Sequence, residues 1–192
     1  MDEEKAGKIV LVTGGARSGK STFAEKIVAQ SGHAIAYIAT SQIFDEEMRF
    51  RVALHRKRRP ADWQTYEAPF DAQQAIEAAA KQHDAILFDC ITIYLSNILC
   101  QLEEQELDKP EQIYALTHQK ISQLIAAAQA AAAQGAVVVF VTNEVGAGIV
   151  PENKLSRIYR DISGLANQQL AKAAADVYAV IAGIPVNIKA LA

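Results

Sequence analysis

The sequence predicts an α/β fold, a mostly parallel sheet with helices on both faces. Two observations carry this. Short runs that are apolar throughout, Ile9–Val12, Ala34–Ala39, Ala85–Phe88 and Ala136–Val141, read as strands buried on both sides. Between them lie amphipathic or alanine-rich segments of helical length, which supply the cover such strands require. A chain of 192 residues is enough for one domain of this kind, residues 1–192, and too short for two.

In chain order, Ile9–Val12 is bounded by Lys8 and by Gly14 and Gly15, and leads into a helix over Ser21–Gln30, with Phe23, Ala24, Ile27 and Val28 on one face. Ala34–Ala39 is the second buried strand. Asp45–Arg59 reads as a charged amphipathic helix with Met48, Val52 and His55 along one side, stopped by Pro60. Trp63–Glu67 reads as a short third strand, Asp71–Gln82 as helix, and Ala85–Phe88 as a strand ending at Asp89. Helix resumes over Thr92–Leu102, an exposed acidic connection follows over Glu103–Pro110, and a long alanine-rich helix fills Glu111–Gln134, with Gly135 placed to cap it. After Ala136–Val141 comes a glycine-rich loop, Asn143–Asn153, then a helix over Leu155–Ala175, a strand over Val177–Ala182 and an edge strand over Val186–Ile188.

Composition narrows the function. Hydrophobic residues make up 51% of the chain and the net charge is −3, so a globular protein without a nucleic-acid-binding field is expected. The two cysteines, Cys90 and Cys100, lie in no metal-ligand spacing and read as reduced thiols. The N-terminal residues are charged and lack an apolar signal core, and membrane insertion is not expected; the expected compartment is the cytoplasm.

In sheets of this class ligands sit beyond the carboxyl ends of the strands. There the segment Gly14, Gly15, Ala16, Arg17, Ser18, Gly19, Lys20, Ser21 fits the phosphate-loop pattern G-x-x-x-x-G-K-[ST], after a strand and opening a helix. Backbone N–H groups and a helix N-terminus would cradle phosphates, Lys20 would add a point charge, and the Ser21 hydroxyl would reach Mg²⁺. Asp89, at the end of another strand, either holds that metal or caps the following helix. His55 precedes Arg56, Lys57, Arg58 and Arg59. A neutral imidazole there could attack phosphorus, and the cations would keep it neutral; on the residues alone such a histidine is more often an ordinary surface residue. The chain has no guanine-reading NKxD loop of the switch-GTPase kind.

Six blocks in a fixed order carry a resemblance. They are Leu11–Ser21, Tyr37–Ser41, Asp45–Met48 leading to His55 and Arg59–Pro60, Asp89–Thr92, Val141–Gly146 and Gly148–Asn153. In them the chain resembles the bifunctional adenosylcobinamide kinase/adenosylcobinamide-phosphate guanylyltransferase family of cobalamin biosynthesis, over essentially its whole length. The resemblance implies a RecA-like P-loop architecture and a homotrimer. It implies phosphorylation of adenosylcobinamide with ATP or GTP, then transfer of GMP from GTP to the product through a covalent GMP on His55. Its nucleotide contacts fall on Gly14–Ser21, on Ala39, Thr40 and Ser41, on Arg56–Arg59, and on Glu67 and Asp89. A carboxylate at Glu67 could accept both the N1–H and the exocyclic amine of guanine. The chain departs from many relatives in having Arg56 after the histidine where they have lysine. Lys154, Arg157 and Arg160 either meet a substrate phosphate or form a solvated helix face.

Overall fold

The computed structural model describes residues 6–42, 46, 49–50 and 60–192. Among these, seven strands form a single sheet in the order β3-β2-β4-β5-β1-β6-β7. They are β1 (Lys8–Thr13), β2 (Ile35–Ala39), β3 (Gln64–Glu67), β4 (Ala85–Asp89), β5 (Val137–Val141), β6 (Asp176–Ile181) and β7 (Ile184–Asn187). All neighbouring pairs run parallel except β6 with β7. The helices are α1 (Lys20–Ser31), α2 (Ala72–Ala80), α3 (Ile91–Cys100), α4 (Glu104–Leu107), α5 (Pro110–Ala133) and α6 (Lys154–Ala173).

The two-residue period of the strands divides the core. Val10, Val12, Leu87, Val139 and Val141 point to one face and pack with Ala24 and Val28 of α1. Leu11, Ile86, Phe88, Val138 and Phe140 point to the other, against Ile76 of α2, Tyr94 and Leu95 of α3, Ile121 and Leu124 of α5 and Ile162 of α6. Helices therefore cover both faces, as the unbroken apolar runs require. Gly135 takes a left-handed φ of 94° just past α5, the conformation a C-terminal glycine supplies.

Two local expectations change. The acidic connection contains the short helix α4. Its Glu103 and Glu106 form a capping box, in which the backbone N–H of Glu103 donates to Glu106 Oε2 at 2.8 Å. The last edge strand begins two residues earlier and is antiparallel, because Ala182 and Gly183 both take positive φ (51° and 82°) and turn the chain straight back as a hairpin. The third strand is largely exposed, in keeping with its place at the sheet edge. The expected helix over Asp45–Arg59 lies mostly outside the described residues; Glu46, Arg49 and Phe50 within it are helical.

Candidate active site at the carboxyl edge of the sheet

The ends of β1, β4 and β5 lie side by side. Val12 is level with Val141, and Val141 with Asp89. The segment between β1 and α1 is shaped by its glycines. A Cβ on Gly14 would stand 2.5 Å from the carbonyl oxygen of Val180, so β6 passes too close for any side chain. Gly19 takes φ 93° as α1 begins. The outward carbonyls of the loop are paired: Gly14 O accepts from Glu144 N at 3.1 Å, and Ser18 O from Gly183 N at 2.8 Å. The loop is thus tied to the segment after β5 and to the β6–β7 turn.

Lys20 is buried, and its Nζ donates to Gly15 O at 3.1 Å. Burial lowers its pKa, while the Asp89 carboxylate works the other way. The Asp89 charge thus reaches Lys20 at the end of the sheet. Asp89 accepts from the Tyr37 hydroxyl at 3.1 Å. The N-cap position of the next helix belongs to Cys90, the residue after it. A carboxylate and the Ser21 hydroxyl are hard oxygen donors of the kind Mg²⁺ takes together with phosphate oxygens. Among the described residues, no group of three or more His, Cys, Asp or Glu gathers into a self-sufficient metal site.

Thr40 is wholly buried and occupied on every side. Its Oγ1 donates to Cys90 O at 3.0 Å and accepts from Cys90 N at 2.8 Å, and its backbone N–H donates to Asp89 O at 3.3 Å. Its carbonyl accepts from Asn97 Nδ2 at 2.7 Å, and the same amide donates to Pro69 O at 3.1 Å. Asn97, itself buried, so clamps the loop after β2 to the loop after β3. Ala68 N donates to Ala39 O at 2.8 Å and strengthens that join. Glu67 is exposed at the end of β3, in register with Ala39. Ala39 and Ser41 are half-buried on either side of Thr40.

Beyond β5 a second polar set is built. Asn143 Nδ2 donates to Thr92 Oγ1 at 2.7 Å, and that oxygen lies 3.1 Å from Cys90 Sγ. Thr142 Oγ1 donates to Asn167 Oδ1 at 2.7 Å, and Asn167 Nδ2 to Asn143 O at 3.3 Å. The Tyr159 hydroxyl donates to Thr92 O at 3.1 Å. Burial, with the Asp89 charge, pushes the Cys90 thiol up to about 11, which makes it a packing group and not a nucleophile.

The structure brings the Gly14–Ser21 loop, Thr40 and Asp89 together at one edge, with Glu67 at the end of the adjoining strand. His55, Arg56, Lys57, Arg58 and Arg59 lie outside the described residues. Two of the three cations after β5 are engaged: Lys154 Nζ meets Asp108 at 2.6 Å, and Arg157 Nη1 donates to the carbonyls of Pro151 and Glu152. Sequence reasoning missed Asn97, Thr92, Tyr159 and Asn167. For Asn97 a signal existed, a lone amide in the apolar run of α3.

A glycine-shaped phosphate loop between a central strand and a helix, with a strand-end aspartate beside its lysine, defines the class: a RecA-like P-loop fold. Consistent with it, the RadB recombinase structure superposes with a TM-score of 0.51 at 17% identity, over 91% of this chain and 74% of that one. A KaiC-like protein from Pyrococcus horikoshii gives 0.47 at 16% identity, over 91% and 71%. The chain belongs to the cobinamide kinase / cobinamide phosphate guanyltransferase family, whose model matches residues 10–188. It is 47% identical over 186 residues to the bifunctional adenosylcobalamin biosynthesis protein CobU of Salmonella typhimurium and 45% over 185 residues to that of Escherichia coli, covering 94% of this chain and 99% of each relative. The protein CobP of Pseudomonas aeruginosa, of the same description, is 37% identical over 179 residues, covering 93% of this chain and 96% of the relative.

Proposed function

We propose that residues 1–192 act as one unit with two activities. The first phosphorylates the aminopropanol hydroxyl of adenosylcobinamide with ATP or GTP. The second transfers GMP from GTP to the resulting phosphate, giving adenosylcobinamide-GDP and pyrophosphate. The observation that carries this reading is the phosphate loop with Lys20 buried within electrostatic reach of Asp89, in a chain matched to this enzyme family over residues 10–188.

In the kinase step the loop N–H groups and Lys20 hold the triphosphate while the substrate hydroxyl attacks the γ-phosphorus; the β–γ bridging P–O bond breaks, the nucleoside diphosphate leaves and the hydroxyl proton passes to solvent. That step needs positioning and charge neutralisation and no protein nucleophile. Mg²⁺, held by Ser21 and Asp89, would supply further neutralisation of the phosphate charge. In the guanylyl step an imidazole nitrogen of His55 attacks the α-phosphorus of GTP. A P–N bond forms, the α–β bridging P–O bond breaks and pyrophosphate leaves. An oxygen of the corrinoid phosphate then attacks the same phosphorus and imidazole departs. Arg56, Lys57, Arg58 and Arg59 supply positive charge to this exchange, Glu67 reads guanine, and Ala39 and Ser41 line the nucleotide path that Thr40 holds in place. The roles of His55 and of the four cations rest on the family resemblance.

The same resemblance supports a homotrimer acting in the cytoplasm on a small corrinoid. The exposed apolar side chains of the outer hairpin, Ile181, Ile184 and Val186, are a surface that assembly could cover. Among the described residues no helix is long and apolar enough to cross a membrane.

The test is direct. Incubated with GTP and Mg²⁺ alone, the protein should gain one GMP in a linkage stable to alkali and labile to acid, mapped to His55. His55→Ala should abolish the adduct and the guanylyl transfer while part of the kinase activity survives. A variant that still makes adenosylcobinamide-GDP at the parent rate would leave a plain P-loop kinase as the reading.

A further inference from the structure

We propose that Arg160 is a phosphate-binding residue of this crevice, whose guanidinium receives a phosphate oxygen of one of the two substrates. The inference rests on the proposed activities and adds a residue to them. Its first observation is an unsatisfied charge. Nη1 of Arg160 is buried and has no hydrogen-bond partner among the described residues. A guanidinium is charged at every physiological pH, and burying one of its donors without an acceptor is unfavourable by more than a neutral group would be. The group it lacks is an anionic oxygen acceptor.

The second observation is placement. Asn167 follows Arg160 by seven residues, so the two share a side of α6. Asn167 bonds Thr142 Oγ1 and the carbonyl of Asn143 at the end of β5, so that side of the helix looks onto the strand end. The helix starts beyond the carboxyl edge of the sheet, after the β5 loop, and runs down to the start of β6. Arg160 lies about 10 Å nearer its start than Asn167, hence above the strand ends. Its neighbour Tyr159 confirms that level by bonding Thr92 in the first turn of α3, three residues after Asp89. Between Arg160 and Asn167 stands Gly164, where an added Cβ would meet nothing within 4 Å. Free space therefore adjoins the helix at Gly164, one turn from Arg160.

A planar guanidinium can grip a phosphate with two parallel N–H bonds, which a lysine cannot do. Two sources of that phosphate are compatible with the site: the terminal phosphate of the nucleoside triphosphate and the phosphate monoester of the corrinoid.

The experiment compares Arg160→Gln and Arg160→Lys with the parent in three readouts. They are GTP affinity by direct titration, kcat of the kinase step, and KM for adenosylcobinamide phosphate in guanylyl transfer. Arg160→Gln should lose at least about tenfold in one of them, with Arg160→Lys intermediate. Weaker GTP binding with slower kinase turnover and an unchanged corrinoid-phosphate KM identifies the nucleotide phosphate. A raised corrinoid-phosphate KM with unchanged GTP affinity identifies the corrinoid phosphate. Values within twofold of the parent in all three readouts overturn the proposal. So does a uniform loss that follows a lowered melting temperature in both variants, which marks a structural arginine. A parent enzyme that transfers no GMP to the corrinoid phosphate would instead sink the proposed function, and the GTP titration would still report on Arg160.

Discussion

The two halves of the sheet's carboxyl edge are built differently. On the side of β2, β3 and β4 the loops are locked by buried side chains: Thr40 is bonded to both sides of Cys90, and Asn97 holds two loop carbonyls at once. On the side of β5 the loop leading to α6 is largely exposed, with Ile149 at 96% and Val150 at 59% of full exposure. Buried, fully satisfied polar networks fix one geometry, whereas an exposed loop with few contacts opens readily. A nucleotide base of constant shape, proposed above to meet Glu67, suits the first construction. A bulky second substrate that must enter and leave suits the second.

Three substitutions would break or sharpen this contrast. The largest effect is expected between the loops compared, at the phosphate loop after β1. Lys20→Ala should lower both proposed activities by about 10² or more, because both need a bound triphosphate and its charge meets the phosphates directly. Initial rates at saturating GTP decide it; near-normal turnover would mean that the phosphates bind elsewhere.

A smaller effect is expected from Asn97→Ala. It leaves the carbonyls of Thr40 and Pro69 without their donor and should cost about 2–3 kcal/mol of stability. The KM for GTP should rise several-fold, since the loops on either side of Glu67 are no longer joined. Denaturant melts and a GTP saturation curve measure the two consequences separately. Unchanged values in both would show that the clamp does not hold the loops.

The smallest effect on the fold is expected on the open side. Ile149→Ser should leave stability within about 0.5 kcal/mol of the parent, because the side chain is already in water. GTP affinity should not change. A substantial fall in melting temperature would contradict the contrast, since it would mean that Ile149 packs against the protein.

The fold was largely legible because its signals are local. Each central strand announces itself by an unbroken apolar run, and the phosphate loop is eight consecutive residues whose glycines must stand where they do. Helix α4 was read as plain connection because its capping box sits in an acidic stretch with little apolar periodicity. The β6–β7 hairpin was only half legible because its turn places Ala182, a residue not associated with positive φ, beside Gly183. Asp89 was legible as a strand-end acid, whereas its bond from Tyr37, 52 positions away, was not.

By itself, the sequence determined the parallel sheet, the phosphate loop and the family, since each depends on residues adjacent or regularly spaced along the chain. Only the tertiary structure decided which polar side chains serve that site. Asn97 reaches Thr40 across 57 positions of sequence, and Tyr159 reaches Thr92 across 67. Whether an asparagine clamps a loop, or an arginine keeps a buried nitrogen without a partner, depends on what the folded chain places against it, and no local spacing encodes that.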